Sequence, residues 1–290
     1  MRKFFPVEDL ARDSRFNQIT MKQSQADPRS VFTPSQDGDA KRPKSNRLTP
    51  DRADASDRAR GLMHGIFVGE IQALEGAGRT CHDFETGTSG SIDTVPFELK
   101  LDMARQAWDE ARHVEISVKL SEWMGTEIGQ YAENTVLFEA ACSNDPVLRL
   151  AGVNRALEGL AIDVFTTMRD FASDMNDPIL YFCEDWMLAD EVTHVKMGST
   201  WLRELTKDDK ERQTRALEFQ RTVDSLFNFR GARGEDRDAA FRLARKFREM
   251  AGFQKEEIDA IAAMARAQRA QYTNGACAEA AGDRGQVTAY

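Results

Sequence analysis

No stretch of this 290-residue chain approaches the 18 or more uninterrupted apolar residues that a membrane-spanning helix requires; even the apolar window 159–165 is interrupted by Asp163. A signal-type apolar segment is missing too, because the basic start Met1-Arg2-Lys3 runs into Glu8 and Asp9. The expectation is a cytoplasmic protein without a membrane partner. Cysteine is scarce: Cys81, Cys142, Cys183 and Cys277 share no CxxC spacing, which excludes a zinc ribbon or disulfide framework and reads as reduced thiols. Positive charge is in deficit, with 39 Lys and Arg against 48 Asp and Glu and a net charge of -9. A phosphate backbone demands clustered basic residues, so nucleic acid is not an expected partner. The most basic run, 41–47, is short and sits in a polar segment.

Alternating strand patterns are also lacking, and helical periodicity fills most of the chain, predicting an all-α fold. Residues 21–49 are rich in Ser, Gln, Asp, Pro and Lys and cannot bury enough apolar surface to order themselves, so 1–49 reads as a flexible arm. Four prolines, Pro50, Pro96, Pro146 and Pro178, stand where helices should begin, since a first helical turn has no use for the missing N–H. They head expected helices at about 50–80, 96–124, 146–173 and 178–205. A shorter helix at about 127–142 is expected to fill the crossover, and further helices at about 207–229, 235–251 and 254–272 precede a flexible tail, 273–290. The expected helical domain is thus 50–272, with its principal bundle at about 50–205. The Gly-rich stretch 86–91 reads as a loop without the context of a phosphate loop.

Histidine is rare, yet two of the four lie in matching strings, Asp109-Glu110-Ala111-Arg112-His113 and Asp190-Glu191-Val192-Thr193-His194. On a helix, Glu and His three residues apart share a face and can serve one metal ion. Each Asp lies four residues before its own His, within reach of the ring nitrogen that faces away from a metal, which makes Asp109, Asp190 and Arg112 candidate supporting residues. The core-facing stripes place a glutamate in the middle of every long helix: Glu70 after Met63 and Phe67, Glu110 between Met103 and Leu120, Glu158 between Ala151 and Ile162, and Glu191 between Met187 and Trp201. Four buried carboxylates converging with two histidines need compensating cations, and two divalent ions supply them. Oxygen and imidazole donors favour iron or manganese over zinc. The expected metal ligands and catalytic residues are Glu70, Glu110, His113, Glu158, Glu191 and His194. Gln106, Asn154 and Glu184 share the inward stripes, with roles left open among substrate contact, ligand support and core hydrogen bonding. His64 and His82 are not expected to be ligands, and Trp108, Trp123, Trp186 and Trp201 are expected to pack.

One Glu from each of two helices and Glu-x-x-His from each of two others resembles the ferritin-like di-iron carboxylate superfamily. The DEARH string at 109–113 is similar to that of its oxygen-activating branch, and the resemblance spans about 60–205. It implies a ferritin-like four-helix bundle with additional C-terminal helices. It also implies two iron ions, or manganese and iron, with O2 as co-substrate. Glu110 and Glu158 are its candidates for carboxylates that bridge or shift.

The leading expectation is therefore a non-haem di-iron oxygenase or oxidase, a monooxygenase among the options, acting on a small organic molecule by hydroxylation, N-oxygenation, desaturation or C–C cleavage. The chain continues well past 205 to residue 290, unlike compact iron-storing relatives, and the extra helices are expected to close a substrate pocket. The alternative is an iron-oxidising or peroxide-detoxifying protein without an organic substrate. A third reading is a helical interaction protein with a structural metal; a tRNA-hydroxylating relative is disfavoured by the net charge. An electron donor is an implied partner, and apolar residues Leu226, Phe227 and Phe229 suggest a homodimer.

Overall fold

The computed structural model describes residues 17–19, 53–87, 93–126, 128–226, 233–235, 239 and 241–282. Apart from 17–19, the arm expected over 1–49 lies outside them, as do Pro50, most of the Gly-rich loop, Phe227, Phe229 and 283–290. The described chain is mostly helical. Its long helices are α1 (Ala53–Asp83), α2 (Phe97–Trp123), α5 (Glu158–Asp174) and α6 (Pro178–Thr206). Between α2 and α5 come α3 (Val136–Ala141), α4 (Pro146–Arg149) and a π-helical segment, Leu150–Leu157, that runs directly into α5. After α6 follow α7 (Lys210–Leu226), α8 (Arg245–Met250) and α9 (Lys255–Gly282). Three small parallel pairings join β1 (Asn17–Ile19) to β4 (Ala132–Asn134), β2 (Glu85–Thr86) to β3 (Thr94–Val95), and β5 (Arg233–Gly234) to β6 (Phe241–Arg242). No described helix is long and apolar enough to cross a membrane. Cys81, Cys142 and Cys183 are free.

The proline starts work as helix chemistry demands, with one exception. The Asp145 side chain accepts the Val147 N–H, and Asp177 accepts those of Ile179 and Leu180, each aspartate satisfying orphan donors of the first turn. Pro96 is itself the cap residue of α2, with no side-chain cap. Three expected elements differ. The crossover helix shrinks to α3, because Gly125 and Gly129 adopt positive φ (74° and 81°) and break the chain before it. The helix expected at 235–251 survives only as α8, the residues before it pairing as β5 and β6. Beyond 272, in the expected tail, α9 continues to Gly282.

α1 packs along α2, and α5 along α6. Two apolar clusters fill the interior. One gathers Met63, Ile66, Leu120, Ile162, Phe165 and Met187; the other gathers Leu99, Met103, Val147, Leu150 and Leu202. Each buried side chain of this size contributes about 1.5–3 kcal/mol through removal from water. Along α2 the two clusters are separated by a polar stretch, Gln106 to Ser117, whereas on α6 the buried Glu184, Glu191 and His194 are interspersed with Met187, Leu188 and Val195 of the first cluster.

The helices after α6 lie along the flank of the π segment and α5, held there by buried charge. Arg248 donates to Asp163 (2.6 and 3.0 Å) and to the Gly159 carbonyl, while Arg233 pairs with Asp224 at 3.0 Å. Arg155 of the π segment reaches Glu257 at 2.5 Å and Gln220 at 3.0 Å. Leu226 is buried in the core, so it offers no spare surface for a homodimer. Trp108 and Trp123 depart from the packing expectation, being 67% and 59% exposed, whereas Trp186 and Trp201 are partly covered.

Candidate metal centre

All six side chains singled out in the sequence meet where the middles of α1, α2 and α6 face the start of α5, and all are buried. They form two overlapping sets, Glu70, Glu110, His113 and Glu191 in one, Glu110, Glu158, Glu191 and His194 in the other. Within each set, one donor atom per residue lies within 4.8 Å of the others. Glu110 and Glu191 belong to both sets. Glu158, which the resemblance names with Glu110 as a carboxylate that bridges or shifts, belongs to one set. The physical reason is helical: α2 and α6 each bring a Glu-x-x-His pair to the centre, and their glutamates face each other between the histidines.

Both imidazoles turn Nδ1 inward. His113 Nδ1 is 2.9 Å from Glu70 Oε2 and 3.3 Å from both Glu110 and Glu191; His194 Nδ1 is 3.2 Å from Glu110 and 3.6 Å from Glu191. Both turn Nε2 outward to an aspartate, and here the structure corrects the sequence reading. His113 Nε2 meets Asp190 at 3.2 Å and His194 Nε2 meets Asp109 at 3.3 Å, each aspartate serving the histidine of the opposite helix. Antiparallel packing of α2 on α6 sets residue 113 level with 190 and 109 with 194, and a short Asp side chain spans that interface. Arg112 contacts Asp109 and lies 3.4 Å from Asp190, with its guanidinium over the Trp186 ring at 4.9 Å. Trp186 in turn stands edge-on to His113 at 6.4 Å.

Gln106 and Asn154 acquire definite roles. Asn154 Nδ2 donates to Gln106 Oε1 at 2.6 Å, and Gln106 Nε2 donates to Glu158 at 2.7 Å and Glu110 at 3.1 Å. One amide thus holds two carboxylates of the cluster, and the π segment carrying Asn154 positions that amide. Glu184, two turns before Glu191, is fully buried and neither of its carboxylate oxygens has a partner in the structure. Ser117 Oγ, one turn beyond His113, is likewise buried without a partner. His64 stands apart from the cluster: its Nε2 accepts the Gly129 N–H at 3.0 Å, and burial lowers its pKa to about 4. His82 is exposed beside Asp83.

The electrostatics register a site short of positive charge. Burial, then repulsion from Glu110, raises the Glu70 pKa well above the carboxylate range, and burial, then repulsion from Glu191 and Glu110, does the same to Glu158. Burial opposes charge on both histidines. Close contacts with Asp190 and the glutamates outweigh it at His113, as attraction to Glu110 and Glu191 does at His194, so both pKa values rise. Glu110 Oε2, both Glu191 oxygens and His194 Nδ1 are buried without a hydrogen-bond partner. Orphaned donor atoms pointing at one another in a dry core are what a metal ion would satisfy, and the carboxylate and imidazole set fits hard to borderline divalent ions.

A cleft opens onto this cluster. Where α1 and α5 diverge, about 840 Å³ of open space, partly continuous with solvent, reaches down to Glu70 and Glu158. Its walls are mainly aliphatic. Of the C-terminal region only Phe241 contributes among the described residues, and α7 packs on the π segment. Sequence reading missed the cleft altogether. The available signal was the pair Gly65 and Gly69, one turn apart inside a long helix where glycine is otherwise unfavourable.

Fold and site together define a helical protein whose core carries a glutamate and histidine cluster able to hold metal. The profile of the family described as protein of unknown function (DUF455) matches residues 1–259, and the chain belongs to that family. No curated protein and no solved structure matches the chain.

Proposed function

We propose that this protein is a dimetal enzyme of ferritin-like four-helix architecture, most simply a di-iron oxygenase or oxidase that uses O2 to oxidise a small organic substrate. The observation that carries the reading is the pair of overlapping four-residue sets that share Glu110 and Glu191. Glu70 and His113 would complete one metal position, Glu158 and His194 the other. Four carboxylates against two divalent ions leave the cluster neutral, which suits its burial. Two ferrous ions, or manganese and iron, would supply the electrons that reduce O2.

The protein's own contribution is orientation and exclusion. Asp190 and Asp109 accept the Nε2 protons of His113 and His194, fixing the tautomer that leaves Nδ1 free to ligate and raising its basicity. Gln106 keeps Glu158 and Glu110 from swinging away. Ile162, Phe165 and Met187 keep water from the cluster on one side, so reactive species meet substrate and not solvent. The cleft between α1 and α5 gives a substrate access from the side of Glu70 and Glu158.

The test is to load metal-free protein anaerobically with ferrous iron, count bound metal by mass spectrometry, and follow the optical spectrum through an O2 pulse. The expected result is two ions per chain and a transient visible band, both lost in a Glu110→Ala, His113→Ala variant. Iron that is not stoichiometric, or whose oxidation ignores the substitutions, would sink the reading. Rapid multiple turnover of free ferrous iron without substrate would favour iron handling instead.

A further inference from the structure

The cleft above Glu70 and Glu158 has a one-sided chemistry. Apart from Gln72 and three glutamates, its lining residues are glycine, aliphatic or aromatic, with Leu62 and Ile66 on α1 and Ala161 and Val164 on α5. Among the described residues, the charged ones that line it are Glu70, Glu133 and Glu158, and no lysine, arginine or histidine lines it. Glu133 is buried with His64 Nε2 3.4 Å away, a histidine that burial keeps neutral at ordinary pH. A carboxylate or phosphate entering this cleft would meet acidic groups in an apolar setting with no cationic side chain to receive it. Alcohols, hydrocarbons and other uncharged molecules meet no such barrier and gain by burying apolar surface.

The walls also show where room has been kept. A Cβ built on Gly69 meets nothing within 4 Å, although the residue lies in the middle of a 31-residue helix. Gly65, one turn earlier, lines the same cleft. Glycine weakens a helix interior, so its presence at two cleft positions removes side chains where a ligand would lie.

We propose that this cleft binds an uncharged, hydrocarbon-rich small molecule and presents it to the Glu70 and Glu158 edge of the cluster. Its role as substrate rests on the dimetal reading; its binding does not. The cleft is partly continuous with solvent, so an aliphatic chain can bury one end against these walls while its other end stays outside.

The experiment titrates the full-length chain, as purified and after chelation, with N-phenyl-1-naphthylamine, an uncharged fluorophore, and then displaces it. One saturable site per chain is expected. In the chelated protein, where a carboxylate cannot gain by ligating metal, decan-1-ol should displace the probe at least tenfold more effectively than decanoate. Gly69→Leu, which helix propensity favours and which places its side chain in the open space, should lose at least tenfold in probe affinity while keeping its helical spectrum, melting temperature and metal content. Ala161→Phe on the facing wall provides an independent plug. Probe binding unchanged in both variants, or decanoate competing as well as decanol, would overturn the proposal. Loss of probe with full metal content leaves the dimetal reading standing, and intact probe binding in a chain that takes up no metal overturns only the latter.

Discussion

Glu184 is the residue whose chemistry the cluster does not use. It is fully buried, its oxygens lack partners, and burial raises its pKa well above the usual range against the opposing pull of His113. The folded chain therefore holds a proton that the unfolded chain releases near its ordinary pKa. Stability from this group is present in full below that unfolded value and is lost as pH rises toward the folded one. Glu184→Gln cannot titrate, so the variant should gain on the parent by about 1.4 kcal/mol for each pH unit in the window above about 4.5. Denaturant unfolding of the chelated proteins at pH 5, 6 and 7 measures this, and parallel stability curves would refute it. At this scale the sequence was informative where the code is local. Glu-x-x-His at 110–113 and 191–194 marks its own helix face, and Glu70 and Glu158 follow from stripes of period 3.6. The exchange of Asp109 and Asp190 between helices was not legible, because it depends on the register of α2 against α6 and not on spacing within either.

The π-helical segment is the element on which the site's precision depends. In it the chain turns wider than an α-helix, and Glu158 begins α5 with its N–H on the Val153 carbonyl, a five-residue spacing. Asn154 within it reaches Gln106, and through Gln106 both Glu158 and Glu110. α6 approaches this segment closely only because residue 198 is glycine: a Cβ there would stand 2.3 Å from the Asn154 Cβ. Gly198→Ala must push α6 and the π segment apart. Overpacking of this kind typically costs about 1–3 kcal/mol. Because Asn154 moves, the loss should extend to metal affinity, by roughly the 10–100-fold seen when groups supporting ligands are disturbed. Metal titration beside thermal melting separates the two effects; a variant that melts lower yet binds metal as tightly would show that the Asn154 to Gln106 link is dispensable. The stripe Val147, Ala151, Asn154, Glu158 was read as ordinary α-helix, and all four residues are buried as that reading required. Nothing in LAGVNRAL announces the wider turn, which tertiary packing against α6 and α7 selects. The C-terminal clamp was equally hidden, since Asp163, Arg233 and Arg248 become partners only when segments some 70 to 85 residues apart in sequence are packed together.

For the molecule as a whole, the cluster sits where the stability of four long helices and the charge of the site are decided together. Without cations, Glu70, Glu110, Glu158 and Glu191 converge in a dry interior between two apolar clusters, and protons retained on Glu70 and Glu158 are an inferior substitute for metal. Ions that bind this arrangement and not the unfolded chain stabilise it by mass action, by about 2.7 kcal/mol at a hundredfold excess over the dissociation constant. For a helical body of this size that corresponds to a rise of about 5–10 °C in Tm. Chelation should remove the rise, and adding ferrous or manganous ion should restore it. Binding should weaken as pH falls, because the ligands must shed protons to accept metal. Glu110→Ala serves as the internal control. Glu110 is shared by both metal positions, so its loss should abolish the metal-dependent shift, whereas a variant of exposed Glu115 should keep it whole. A melting curve indifferent to metal in the parent would mean that histidines, Arg112 and retained protons satisfy the carboxylates by themselves. That outcome would leave a polar-cored helical scaffold, and the cleft would then have no chemistry beneath it.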